Sequence, residues 1–157
     1  MENRWRMLSG PWVHDFGCTM EELVGDDDFH IHVGTDSKNR GQSTHFVTVV
    51  AVLRPGTGAR VIYRSSKVPR LPSLAQRLIQ EAQMSIETAT MLTEMVPQDI
   101  VIHIDANPDE RHRSARYARS LAGMGIGSGF EVRLKPEAWC ASHVADHVVK
   151  DKHLRVA

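Results

Sequence analysis

Ile100-Val101-Ile102-His103-Ile104-Asp105 carries apolar side chains at nearly every position and stops at an aspartate. Such a short run without a polar face reads as a strand covered on both sides, the usual state of a central strand in a parallel sheet between helical layers. A parallel neighbour needs a long crossover, usually a helix. Residues 72–95 supply it: Leu71, Leu74, Leu78, Ala82, Ala89 and Leu92 fall near one face, Ser73 gives an N-terminal signal and Pro97 closes the pattern.

The segments on either side complete an α/β chain. Phe29–Asp36 alternates with period two and reads as a strand ending at Asp36, and His45–Leu53 is β-branched and long enough for a buried strand. After the turn Pro55-Gly56-Thr57-Gly58, Arg60–Ser66 makes the third strand of an antiparallel meander. Beyond Asp105 the pattern predicts a helix over 110–123, a glycine-rich loop, a strand over 130–134 and a last helix over 137–150. The expected order is βββαβαβα, a five-stranded mixed sheet with helices on both faces and a right-handed crossover. Residues 1–28 read as an N-terminal extension packed on the core, with a short helix starting at the capping box Thr19-Met20-Glu21-Glu22. Residues 29–157 form the domain, and 157 residues of which 41% are hydrophobic suffice for one core.

Nineteen Lys and Arg balance nineteen Asp and Glu, so no general field attracts a polyanion and any such site is local. Two clusters are candidates: Arg54, Arg60, Arg64, Lys67 and Arg70, and Arg111, Arg113, Arg116 and Arg119. Solvated faces account for either equally well. Cys18 and Cys140 are isolated thiols, which points to the cytoplasm and away from a structural disulfide. No apolar stretch has signal-peptide or membrane-spanning length, so no membrane partner is expected. Nothing here sets the oligomeric state.

Asp36 and Asp105 each end an apolar strand, where open α/β sheets place their ligand crevices. If the two strands are neighbours the aspartates converge, and their parity agrees: His32, Gly34 and Asp36 share one face, as do Val101, His103 and Asp105. Clustered carboxylates repel and raise at least one pKa unless cations keep them ionised. Oxygen ligands favour Mg²⁺ or Mn²⁺ over zinc, and Mg²⁺ is commonly shared with substrate phosphates. On the long helix, about 100° per residue puts Glu81 about 60° from Leu78, whereas Glu87 and Glu94 fall roughly opposite. Glu81 can therefore face the border with the sheet; an ordinary surface helix pair is the competing reading. Asp146, a poor helix-interior residue, is either a fourth carboxylate facing the strand ends or an exposed partner of Lys150.

These positions lie within a wider pattern: Val33-Gly34-Thr35-Asp36-Ser37, Arg77-Leu78 with Glu81 and Ser85, Ile102-His103-Ile104-Asp105-Ala106-Asn107, Gly123-Met124 with Gly127, Gly129 and Phe130, then Lys135-Pro136, Ala141-Ser142 and Val144-Ala145-Asp146. In these motifs the chain resembles the YkuK family of the RNase H-like superfamily from Ile31 to Lys150. The resemblance implies an RNase H-like fold and a metal site of Asp36, Glu81, Asp105 and Asp146 holding Mg²⁺ or Mn²⁺. It further implies two-metal phosphodiester hydrolysis on a nucleic acid, whether RNA, RNA/DNA hybrid or structured DNA.

Two other classes compete. His143 and His147, at i and i+4, could hold zinc for a hydrolase, but His-Glu-x-x-His is absent and no third His or Cys is fixed by spacing. His32 and His103 read more readily as core histidines with hydrogen-bond partners. A non-catalytic nucleic-acid- or protein-binding module on the same fold is the other alternative; the full carboxylate set argues against it, while neutral charge and the lack of an aromatic platform weaken a strong nucleic-acid claim. Gly123–Gly129 resembles a phosphate loop only superficially, because it follows a helix and opens a strand.

Overall fold

The computed structural model describes residues 4–25, 28–54, 56, 58–145 and 148. The elements are β1 (Trp5–Met7), α1 (Phe16–Val24), β2 (His30–Arg40), β3 (Ser43–Arg54), β4 (Gly58–Pro69), α2 (Leu74–Thr93), β5 (Ile100–His103), α3 (Ala115–Gly127), β6 (Glu131–Arg133) and a π-helical segment, Cys140–Ala145. The strands form one mixed sheet in the order β1-β4-β3-β2-β5-β6. β2, β3 and β4 are the antiparallel meander, while β5 pairs parallel with both β2 and β6.

The sheet has six strands rather than the five expected. The sixth is β1, which lies in the N-terminal extension and pairs antiparallel with β4, Trp5 opposite Arg64. Three residues are too few for a period-two signal. What holds them is aromatic packing: Trp5 is buried, stacks on Phe16 at 4.6 Å between ring centroids, and carries the Arg64 guanidinium over its face at 4.9 Å. The first helix begins at an Asp15 N-cap, whose carboxylate accepts from Cys18 N, and not at Thr19. Gly25, at φ 57°, ends it.

Hydrophobic residues divide into two clusters, one on each face. Ile31, Val33, Val50, Val52, Ile62, Ile100 and Ile102 pack with the buried sides of α1, α2 and α3. Val47, Val49, Ala51 and Tyr63 pack with Cys140, Ala145 and Val148. Helical layers on both sides of β5 explain its uniform apolarity.

Three boundaries differ from the sequence reading in ways that matter for the site. β2 does not stop at Asp36; it continues to Arg40 as one arm of a hairpin with β3, turning at Gly41-Gln42. Cross-strand pairing extends a polar segment that has no apolar alternation of its own. The helix expected over 110–123 is α3, which starts at Ala115 and runs through Gly123 and Gly125 to Gly127, so the glycine-rich stretch is largely helical. A Cβ on Gly125 would stand 2.5 Å from Val132 Cγ2, so its glycine lets α3 lie against β6. The last helix expected over 137–150 is π-helical at Cys140–Ala145; Asp146, His147, Val149 and Lys150 lie outside the described residues.

Candidate metal centre

β2 and β5 run parallel in the register Ile31 with Ile100 through Gly34 with His103. Two residues further along each chain stand Asp36 and Asp105. There β5 has ended while β2 runs on with β3, Asp36 opposite Val47, which leaves the β5 side of β2 open at Asp36. Asp36 is buried; Asp105 is 19% exposed at its side chain.

Glu81 approaches from α2. Of Glu81, Glu87 and Glu94, only Glu81 is buried, and Glu87 and Glu94 are exposed, as the helical phase requires. Ser37 Oγ donates to Glu81 Oε1 at 2.5 Å. Beneath this bond Thr35 Oγ1 lies 2.7 Å from Ser85 Oγ and 3.0 Å from Thr48 Oγ1, a buried hydroxyl row that ties α2 to β2 and β3. Burial pushes the Glu81 carboxyl well above the usual range, and the charges of Asp36 and Asp105 push it further; the Ser37 bond and the Arg77 charge oppose them. The charges of Asp36 and Asp105 both act on Glu81, and Ser37 and Arg77 offset the upward shift only in part.

Asp105 Oδ1 is buried and accepts no hydrogen bond. Its contact is ionic, Lys135 Nζ at 2.7 Å. Lys135 follows β6, and its backbone N donates to Ala106 O while Ile104 N donates to Arg133 O, so the two strand exits are laced together.

The face of β2 and β5 turned away from α2, which by strand alternation is also the face of Asp36, holds a buried histidine pair. His103 Nδ1 accepts from Cys140 N at 3.1 Å, which fixes the proton of that ring on Nε2. Nε2–H therefore donates to His32 Nδ1, 2.8 Å away. Trp139 packs against both rings at 4.8–4.9 Å. Burial, the Arg133 charge and His30 hold His32 near pKa 4, and burial, His32 and Arg133 hold His103 near 3. The pair is thus neutral and fastens the start of the π-helical segment to β5. Gly34 completes the seat: a Cβ there would lie 2.6 Å from Ala141 N. These are core histidines with partners, the simpler of the two sequence readings.

Among the described residues, no group of three or more His, Cys, Asp or Glu side chains closes to metal-ligand spacing. Asp36, Glu81 and Asp105 are brought into one electrostatic neighbourhood; Asp146, on the chain that follows the π-helical segment, lies outside the described residues. The donor set nonetheless fits a hard divalent cation, being all oxygen, with one carboxyl destabilised in its charged form, although Lys135 Nζ already stands on Asp105 Oδ1. His143 is exposed, and its zinc partner His147 is outside the described residues.

Neither arginine cluster gathers on the carboxylates. Arg54 covers Phe29, Arg64 covers Trp5, and Arg70 Nη1 donates to Gly41 O. Arg111 pairs with Asp109, while Arg116 and Arg119 border, with His112 and Leu134, a groove of about 850 Å³. Sequence reasoning gave no role to Ser37, Ser85, Arg77 or Lys135, although all four belong to the motifs that carried the resemblance.

The chain belongs to the Ribonuclease H-like family, which matches residues 18–150. Among solved structures it is similar to RNase H1 from the halophilic archaeon Halobacterium salinarum NRC-1, at 17% identity and a TM-score of 0.42, over 69% of this chain and 87% of that one. No curated protein matches it. Among the described residues, no helix is long and apolar enough to cross a membrane.

Proposed function

We propose that this chain is a divalent-metal-dependent nuclease of the YkuK branch, hydrolysing phosphodiester bonds in RNA, RNA/DNA hybrid or structured DNA. The observation that supports the reading is the parallel β2/β5 register, which ends two residues before Asp36 and Asp105 on both strands, together with Glu81 pushed toward neutrality by burial and then by the charges of Asp36 and Asp105. Mg²⁺ or Mn²⁺ bound there would supply charge neutralisation and water of lowered pKa. Asp36 and Asp105 would do most of the holding. Glu81, fixed through one oxygen by Ser37, keeps the other for orienting water, and Asp146 would complete the set. The exposed Cys18 and buried Cys140, both free thiols, fit a cytoplasmic setting.

The test is cleavage of a panel of RNA/DNA hybrid, duplex RNA, single strands and branched DNA with and without Mg²⁺ or Mn²⁺. Metal-dependent cleavage of at least one substrate, lost in Asp36→Asn, is the expected outcome; full activity in that variant contradicts the assignment.

One contact favours a second reading, a non-catalytic binding module. Lys135 Nζ already stands 2.7 Å from Asp105 Oδ1, supplying from within the chain the positive charge that a cation would bring. Salt-sensitive nucleic-acid binding with no cleavage on the whole panel would favour it.

A further inference from the structure

Arg77 sits in the first turn of α2, one helical turn before Glu81 and on the same face. The chain entering this turn is anchored to the hairpin beyond Asp36: Asn39 Nδ2 donates to Leu71 O, and Leu71 N donates to Thr44 Oγ1. Arg77 therefore stands in the helical turn between this anchored entry and Glu81, and its charge acts on the Glu81 carboxyl. Its side chain is half-buried, and its Nε is enclosed without a hydrogen-bond partner. An unmade buried hydrogen bond costs about 1–3 kcal/mol, and guanidinium cannot escape the cost by losing its proton.

Service as the counterion of the carboxylates does not explain this placement. Glu81 gives Oε1 to Ser37, and the Arg77 charge is the smallest of the five influences on Glu81, acting through space and not through a hydrogen bond. What a half-buried, always-charged fork of N–H donors one helical turn from Glu81 suits is an anionic, oxygen-rich group brought by the substrate, and phosphate matches its geometry. The first-turn amides of α2 add positive potential at the same place.

We infer that Arg77 is a phosphate-binding residue of the carboxylate site, holding a non-bridging oxygen of the nucleic-acid strand close to the linkage presented to Asp36 and Asp105. The location of the phosphate rests on the nuclease reading; the phosphate contact itself does not.

The experiment measures binding without cleavage. The full-length chain carrying Asp36→Asn is titrated against a fluorescein-labelled RNA/DNA hybrid, a DNA duplex and a single strand by anisotropy, from low to moderate salt, alone and with Arg77→Ala, Arg77→Lys or the exposed control Arg113→Ala. Arg77→Ala should weaken binding about tenfold or more, as expected for one charge-assisted contact. It should also lower the slope of log K against log salt by about one. Arg77→Lys should keep the slope and recover part of the affinity. Should Arg77→Ala not fold, Arg77→Gln takes its place. An unchanged slope and affinity, or a loss no larger than that of Arg113→Ala, overturns the inference, as does failure of the parent to bind any of the three. If the parent chain cleaves nothing yet Arg77→Ala lowers the slope, the phosphate contact stands and the nuclease reading falls; normal cleavage with unaltered binding gives the reverse.

Discussion

Glu81 is the residue whose environment is least self-sufficient. Its carboxyl is buried under the influence of two other acids, with one hydroxyl donor and the through-space charge of Arg77 in its favour. Because its folded pKa lies above the unfolded value of 4.5, the group costs metal-free stability as pH rises above that value. Glu81→Gln keeps an acceptor for Ser37 and removes the charge. It should stabilise the metal-free chain at neutral pH by about 1 kcal/mol or more, about 2–4 °C in Tm per kcal/mol, while abolishing Mg²⁺-dependent cleavage. A fall in Tm in EDTA would contradict this account of the carboxyl. The histidines work in the opposite sense. His32 and His103 are held near 4 and 3, below 6.5, so the unfolded chain binds their protons first and stability falls as pH drops from 6.5. Each ring contributes at most about 1.4 kcal/mol per pH unit. His103→Gln retains an acceptor for Cys140 N and a donor for His32, and its urea midpoint should fall less than the parent's between pH 6.5 and 4.5.

The π-helical segment is the element that leads into Asp146, the fourth carboxylate of the proposed site. It is seated by His103 on Cys140 N and by the absence of a side chain at Gly34. Gly34→Ala places a methyl against the Ala141 backbone, which has no flexible end to yield, so the segment must lift; a loss of about 1–3 kcal/mol is expected, read by urea unfolding together with lost cleavage. Unaltered stability would mean that the segment is not held there. How much of this was legible in the sequence follows from period and length. β5 and the face of α2 were readable because apolar spacing reports burial directly, and Glu81 was separable from Glu87 and Glu94 by phase alone. The parallel pairing of β2 with β5, on which the expected approach of Asp36 to Asp105 depends, is present in the sheet. What the sequence hid had no local signal: the Trp5–Met7 strand is too short to alternate, the Asp36–Arg40 extension of β2 is imposed by β3, and the helical Gly123–Gly127 reads as a loop until Val132 is seen pressed against Gly125. Lys135 and Arg77 carry nothing in their neighbours that distinguishes them from surface cations.

At the scale of the whole molecule, nineteen basic and nineteen acidic residues cancel, so affinity for nucleic acid must come from a few placed charges and not from a field. A short salt slope is the consequence, a few phosphates and not the six to ten of an extensive interface. The central claim is that Asp36, Glu81 and Asp105 form the core of a divalent-metal site, and calorimetric titration of Mn²⁺ in buffers of differing ionisation enthalpy tests it most directly. Because Glu81 is held toward its neutral form without metal, binding should be saturable, accompanied by proton release, and lost in Asp36→Asn. Binding without proton release, or binding undiminished in Asp36→Asn, would contradict it.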